Sequence, residues 1–252
     1  MCIRDRKYIG SNVSGIFREI KKILEQGISV LFSGTPCQVA GLKIFLQKEY
    51  ENLTTCDFVC HGVASGKVLR KYLEFLEETN QDKINNVFFR KKTDQYINSK
   101  FTVTFTDKEL SFPSYENPFG YGFSAGKINR ESCASCPYAS LYRASDLTLA
   151  DLVHGLSKKE RKNGASLVLV NTGKGKRRLE QCDLYKKQLD IAYAVKIQSH
   201  LSHPQKMSGQ RSEILESLDR LPFSEVADRY LTPPAVPFRV RVKGGIKRLL
   251  GR

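Results

Sequence analysis

Seven cysteines stand at positions 2, 37, 56, 60, 133, 136 and 182. A deprotonated thiol can act as a nucleophile, a redox centre or a soft metal ligand. The opening residues Met1-Cys2-Ile3-Arg4-Asp5-Arg6 have no apolar core of a secretory leader, and a soluble, cytoplasmic protein is expected. In that compartment thiols stay reduced, so structural disulfides are not expected, and an odd count argues the same way. Cys133-Ala134-Ser135-Cys136 is a C-x-x-C pair followed by Pro137. That spacing serves zinc, an iron–sulfur cluster or a redox dithiol. Cys37, in Gly34-Thr35-Pro36-Cys37, and Cys60, in Cys60-His61-Gly62, each follow a short apolar run in loop-forming sequence. Four thiols in irregular backbone suit a cluster, because loop N–H groups can be aimed at its sulfurs. Zinc would accept the same four in a tetrahedron, so spacing leaves both open.

The other three cysteines read as inert. Cys56 falls inside a strand, Cys182 lies one helical turn from Leu179 and Tyr185, and both are expected to be buried apolar groups. Cys2 belongs to an end expected to be unstructured. His61 reads as a backbone-bonded loop histidine, and His154, His200 and His203 form no ligand spacing.

Two successive strand–loop–helix units position Cys37 and Cys60. Val13, Ile16, Phe17, Ile20 and Leu24 mark a first helix stopped by Gly27, and Ile28–Phe32 reads as a short buried strand. Val39, Leu42, Phe45 and Leu46 follow at helical spacing. Leu53–Val59 is the next strand, with Val68, Leu69, Tyr72, Leu73 and Leu76 as a helix face after it. Such units make a parallel crossover, and ligands gather beyond the carboxyl ends of parallel strands. Cys37 and Cys60 are therefore expected on one sheet edge. Further on, Asn86–Arg90 and Phe101–Thr106 read as a hairpin pair, followed by the Gly- and aromatic-rich stretch Pro118–Phe123. Strands are expected at Leu147–Ala150, Ser166–Val170 and Ile191–Ile197, with a helix from about Lys176 to Leu189. From Pro204 a short helix and a loosely held basic tail are expected. The fold class is α/β, a mixed sheet with strand–loop–helix units and an inserted β-hairpin region.

Gly164–Lys176 carries a second signal. A buried strand opens into a turn containing Asn171, Thr172, Gly173, Lys174 and Lys176, and then a helix. N–H groups at that helix start and the two lysines would suit a pyrophosphate. The fixed spacing of a Walker loop is absent, and an ordinary strand-to-helix turn is the plainer reading. The formal net charge is +15, carried by Arg90-Lys91-Lys92, Lys174–Arg178 and the tail Arg239–Arg252. No RNP, zinc-finger or basic-zipper pattern accompanies these charges, so they read as solvated surface and no nucleic acid is expected. No run is apolar enough for a transmembrane segment.

The stretches Lys7-Tyr8-Ile9-Gly10-Ser11, Val30–Leu42 with its Gly34-Thr35-Pro36-Cys37-Gln38, and Cys60-His61-Gly62-Val63 resemble the beta subunits of coenzyme F-420 hydrogenases and dehydrogenases. Cys133–Tyr138 with Arg143, Asp146 and Asp151, and Gly164–Gly175, continue the resemblance in the family's order to about Pro204. It implies an oxidoreductase domain that carries FAD and a 4Fe–4S cluster and moves electrons between the cluster and a hydride-accepting substrate. The implied cluster ligands are Cys37, Cys60, Cys133 and Cys136. The implied flavin contacts lie in the turn Asn171–Lys174, with Thr35 and Lys176 expected on the same carboxyl edge. The resemblance names no catalytic residue.

Two departures from the family follow. Its members begin with a ferredoxin-like module, whereas here Met1–Arg6 reads as a foreign leader, so a chain shortened at its N-terminus is expected. The family's aspartate–aromatic–tryptophan–glycine stretch reads Asp151-Leu152-Val153-His154-Gly155. The expected organisation is a leader at 1–6, a flavin and iron–sulfur domain at 7–203, and a C-terminal helix with a basic tail at 204–252. Expected partners are a ferredoxin-like donor or module and a small-molecule redox substrate. The alternative is a zinc-stabilised, non-catalytic interaction domain.

Overall fold

The computed structural model describes residues 2–3, 8–92, 99–152, 155–157, 160 and 164–234. Val153, His154 and the basic tail at 239–252 lie outside them. The chain is α/β, as the sequence indicates, but its strands form two mixed four-stranded sheets.

The first sheet has the order β1-β4-β5-β6, where β1 is Cys2–Ile3, β4 Asn86–Lys92, β5 Ser99–Thr104 and β6 Glu109–Pro113. β4 and β5 make the expected antiparallel pair, and β6 extends it. Cys2 is not in an unstructured end: Cys2 and Ile3 pair in parallel with Asn86 and Val87. Arg90-Lys91-Lys92, expected as surface loop, closes β4.

α3 (Gly66–Asn80) packs on this sheet, burying Val68, Leu69, Tyr72, Leu73 and Leu76, the five residues its periodicity singles out. The Gly- and aromatic-rich stretch forms α4 (Pro118–Ser124), with Asn117 as its cap accepting from the Gly120 N–H. After Pro204 the described residues, up to 234, pack into the core. Helices at Arg211–Arg220 and Phe223–Val226 and the turn Ala227–Leu231 put Ile214, Leu218, Phe223, Val226 and Leu231 into the same core.

The second sheet has the order β2-β3-β7-β8, with β2 Val30–Gly34, β3 Leu53–Phe58, β7 Leu147–Asp151 and β8 Ser166–Val170. β2, β3 and β7 are parallel, while β8 runs antiparallel to β7. α1 (Ile16–Glu25) and α2 (Pro36–Leu46) cover one face through Ile20, Leu24, Val39, Leu42 and Leu46 packed on Phe32 and Leu53. β2 is an edge strand covered on that face, so only Phe32 is buried and Leu31 is 71% exposed, not the buried strand expected.

Two further elements differ from expectation. The helix after β8, α5, spans only Gly173–Glu180, which leaves Cys182 beyond its end and exposed. Ile191–Ile197 is a helix, α6, rather than a strand. Seven apolar-rich residues fit either period, and the side chain of Asp190 decides for the helix by accepting from the Tyr193 N–H at 3.0 Å.

Candidate functional site

Parallel pairing of β2 and β3, with Gly34 beside Asp57, brings the segments after both strands to one sheet edge. Thr35 caps α2, its N–H donating to the Gln38 side chain at 2.9 Å, and Pro36 takes the first helical position. Cys37 is thereby held in the first helical turn, its sulfur 3.1 Å from the Thr35 hydroxyl. Cys60 lies two residues past the end of β3. The following turn needs its glycine: Gly62 has φ +100°, and a Cβ there would stand 2.9 Å from Asn129 Nδ2 and 3.3 Å from Cys133 Cβ. Cys133 ends a 3₁₀ turn at Glu131–Cys133, and Asn129 donates to the His61 carbonyl at 3.1 Å, tying that segment to the Cys60 loop.

The electrostatics of Cys60 report its surroundings. Burial pushes its thiol up to about 11; a hydrogen bond with the Gly62 backbone pulls part of the way back, and the neighbouring Cys133, Cys37 and Cys136 push further. Cys56 is buried in β3, and Cys182 hydrogen-bonds the Arg178 carbonyl on the surface. Among the described residues, no three His, Cys, Asp or Glu side chains close on one point as ligands of a single metal ion.

Beside these thiols a cavity of about 970 Å³ opens between the two sheets, lined by Thr35, Cys60, His61, Arg90, Tyr115 and Asp151 among others. Phe58 and Leu149, 42% and 41% exposed, add apolar lining. Arg90 of β4 and Asp151 of β7 form an ion pair at 2.9 Å that spans the sheets at this cavity. His61 meets His200 edge to face, with ring centroids 4.2 Å apart. Burial, helped by His200 and opposed by Asp151, lowers its pKa to about 4. His61 is therefore neutral at neutral pH. Sequence spacing does not suggest the His61–His200 contact, since 139 positions separate the two.

The Asn171–Lys176 turn does not share this edge, contrary to expectation. Because β8 runs antiparallel to β7, the turn sits where the parallel strands begin. Lys174 donates to the Tyr50 carbonyl there at 3.0 Å. Thr172 donates to Asp146 at 2.7 Å and accepts from the Gly175 N–H at 3.0 Å, and Asn171 donates to Thr148 at 3.0 Å. Thr35 lines the cavity; Asn171, Thr172, Gly173, Lys174 and Lys176 do not.

In α/β folds ligands gather in crevices of this kind, beyond the carboxyl ends of parallel strands. Residues 28–192, well over half of the chain, match the family described as the C terminus of the coenzyme F420 hydrogenase/dehydrogenase beta subunit, and the chain belongs to that family. It is thus related to subunits of redox enzymes. No curated protein matches the chain. No described helix is long and apolar enough to cross a membrane.

Proposed function

We propose that this domain is an iron–sulfur flavoprotein oxidoreductase, with Cys37, Cys60, Cys133 and Cys136 holding a 4Fe–4S cluster and the adjoining cavity holding FAD and its substrate. The observation that carries the reading is the close approach of the Cys60 loop to the Cys133 segment, where a Cβ at Gly62 would stand 3.3 Å from Cys133 Cβ, with Cys60 itself lining the 970 Å³ cavity. Four soft thiols are the donor set a cluster takes, here with Cys37 in the first turn of α2 rather than in the loop its sequence suggests. Gly62, with no room for a Cβ, lets the Cys60 and Cys133 segments approach.

A cluster asks each thiolate to bind its own iron, whereas a mononuclear zinc asks for sulfurs about 3.8 Å apart, given a Zn–S bond of about 2.3 Å. For the flavin, a cavity near 1,000 Å³ with apolar and aromatic walls is of the right class. When bound, such groups supply one-electron transfer at the cluster and hydride transfer at the flavin.

The chain's own residues would orient and shield those groups. Phe58 and Leu149 offer apolar lining, and neutral His61 adds no charge beside the thiols. Arg90 brings a positive charge to the cavity wall, paired there with Asp151. Thr35 stays in the flavin reading as part of the cavity wall. The Asn171–Lys176 turn leaves it, because it lies at the opposite end of the parallel strands, where Thr172 and Lys174 are already engaged. A ferredoxin-like protein or module is the proposed electron partner, and the site is proposed to work in the cytoplasm. Anaerobic purification with iron, sulfide, zinc and flavin quantified together tests the function. Iron with matching sulfide, plus flavin, is expected; stoichiometric zinc in a colourless protein would overturn it.

A further inference from the structure

Among the described residues, one ion pair has both side chains fully buried: Arg143 and Asp57, 1% and 0% exposed and 3.1 Å apart. A guanidinium has five N–H donors in a fixed planar fork. Here the fork reaches beyond the carboxylate. Nε donates to Thr148 Oγ1 at 3.3 Å, and one terminal nitrogen donates to the carbonyls of Tyr138 at 2.7 Å and Ser140 at 3.4 Å. The other terminal nitrogen donates to Asp57 Oδ1 and to the Phe58 carbonyl, both at 3.1 Å.

The acceptors matter because of where they fall in the chain. Tyr138 lies two residues after Cys136, and Phe58 lies two residues before Cys60. One rigid group thus holds both thiol-bearing segments at once. From Ala134 to Ser145 the chain has no helix or strand, so little else regular fixes Cys136 against the end of β3. Charge neutralisation alone would need only Asp57. The three carbonyl contacts do something else: they set the gap between the two segments.

We propose that Arg143 is a positioning residue that fixes the separation of the Cys60 thiol from the Cys133–Cys136 pair, which rests on the ligand set named above. Arg143→Lys keeps a cation beside Asp57, but one ammonium cannot span both segments. Asp57→Asn is the contrasting variant. It breaks the buried ion pair, a change that is strongly destabilising, yet leaves the guanidinium's carbonyl bonds in place. A purely structural role would make the two variants suffer in proportion to lost stability.

The test uses the intact, metal-free chain under anaerobic conditions. A short dithiol cross-linker, dibromobimane, bridges Cys60 to Cys133 or Cys136, and peptide mapping gives the rate. Thermal melting is followed in parallel, as is iron loss to a chelator from the reconstituted chain. By analogy with changes behind metal ligands, Arg143→Lys should slow bridging and speed iron loss on the order of 10–100-fold, while Asp57→Asn keeps bridging within about twofold despite a lower melting temperature. Wild-type bridging rates in Arg143→Lys, no bridging in the wild type, or equal losses per degree of melting in both variants would overturn the proposal. If Arg143→Lys does not fold, the double variant Arg143→Met/Asp57→Asn removes both charges together, which a buried site tolerates better, and is held to the same bridging test. A wild-type chain that bridges normally but takes up no iron would sink the cluster reading and leave the positioning role standing.

Discussion

Replacing Asp146 with Asn should destabilise the fold by about 2–3 kcal/mol at pH 7, taking a hydrogen bond to a charged group as worth about 1.5–3 kcal/mol. The carboxylate is 1% exposed and accepts three short hydrogen bonds. Thr55 gives its N–H and its hydroxyl, both at 2.8 Å, and Thr172 gives its hydroxyl at 2.7 Å. Asn offers one acceptor oxygen, so at least one charge-assisted bond is lost and the others become neutral. Burial opposes ionisation of Asp146, but the bonds from Thr172 and Thr55 outweigh it and hold the carboxyl below the usual carboxylate range. With the folded value depressed, the contribution is complete above the unfolded value of about 3.9 and is lost as pH falls through the folded one. The gap between wild type and Asp146→Asn should therefore be constant from pH 7 to about 5 and shrink below about 4. Urea unfolding of the metal-free chain across that range measures it. A difference at pH 7 under about 0.5 kcal/mol, no more than an ordinary surface substitution, or a gap that widens in acid, would refute the reasoning.

Other consequences follow from the same geometry. At Gly175 a Cβ would overlap the backbone carbonyl of Asp146, so Gly175→Ala should cost about 1–3 kcal/mol or more, seen as a lower urea midpoint. Lys176 is exposed at the sheet edge opposite Thr35, so Lys176→Glu should leave the flavin content of the purified protein unchanged; a drop would show that the cofactor reaches that turn.

Much of the scaffold was legible because burial follows simple periods. The buried face of α3 coincides with Val68, Leu69, Tyr72, Leu73 and Leu76, since a helix against a sheet must repeat near every 3.6 residues. The shared edge of Cys37 and Cys60 followed from two consecutive strand–loop–helix units. Strand direction was not legible, because Ser166–Val170 looks the same in either orientation. That ambiguity is why the Asn171–Lys176 turn was expected on the wrong edge. Ile191–Ile197 is too short for its period to distinguish helix from strand. The cap at Asp190 was the available signal. Cys182 was expected on a helix face, yet α5 ends at Glu180 and leaves it in solvent. The role of Arg143 depends on carbonyls at positions 58, 138 and 140, which no side-chain pattern encodes.

The central claim is that one set of four thiols holds the cluster while the other described cysteines do not. Alanine at each of Cys37, Cys60, Cys133, Cys136, Cys56 and Cys182, with iron and sulfide per chain measured after anaerobic purification, tests it most directly. Most iron should be lost in each of the first four variants. Wild-type iron is expected in Cys56→Ala, with some loss of stability from the buried strand position, and in Cys182→Ala, with none. Full iron in any of the first four variants, or its loss from Cys182→Ala, would contradict it.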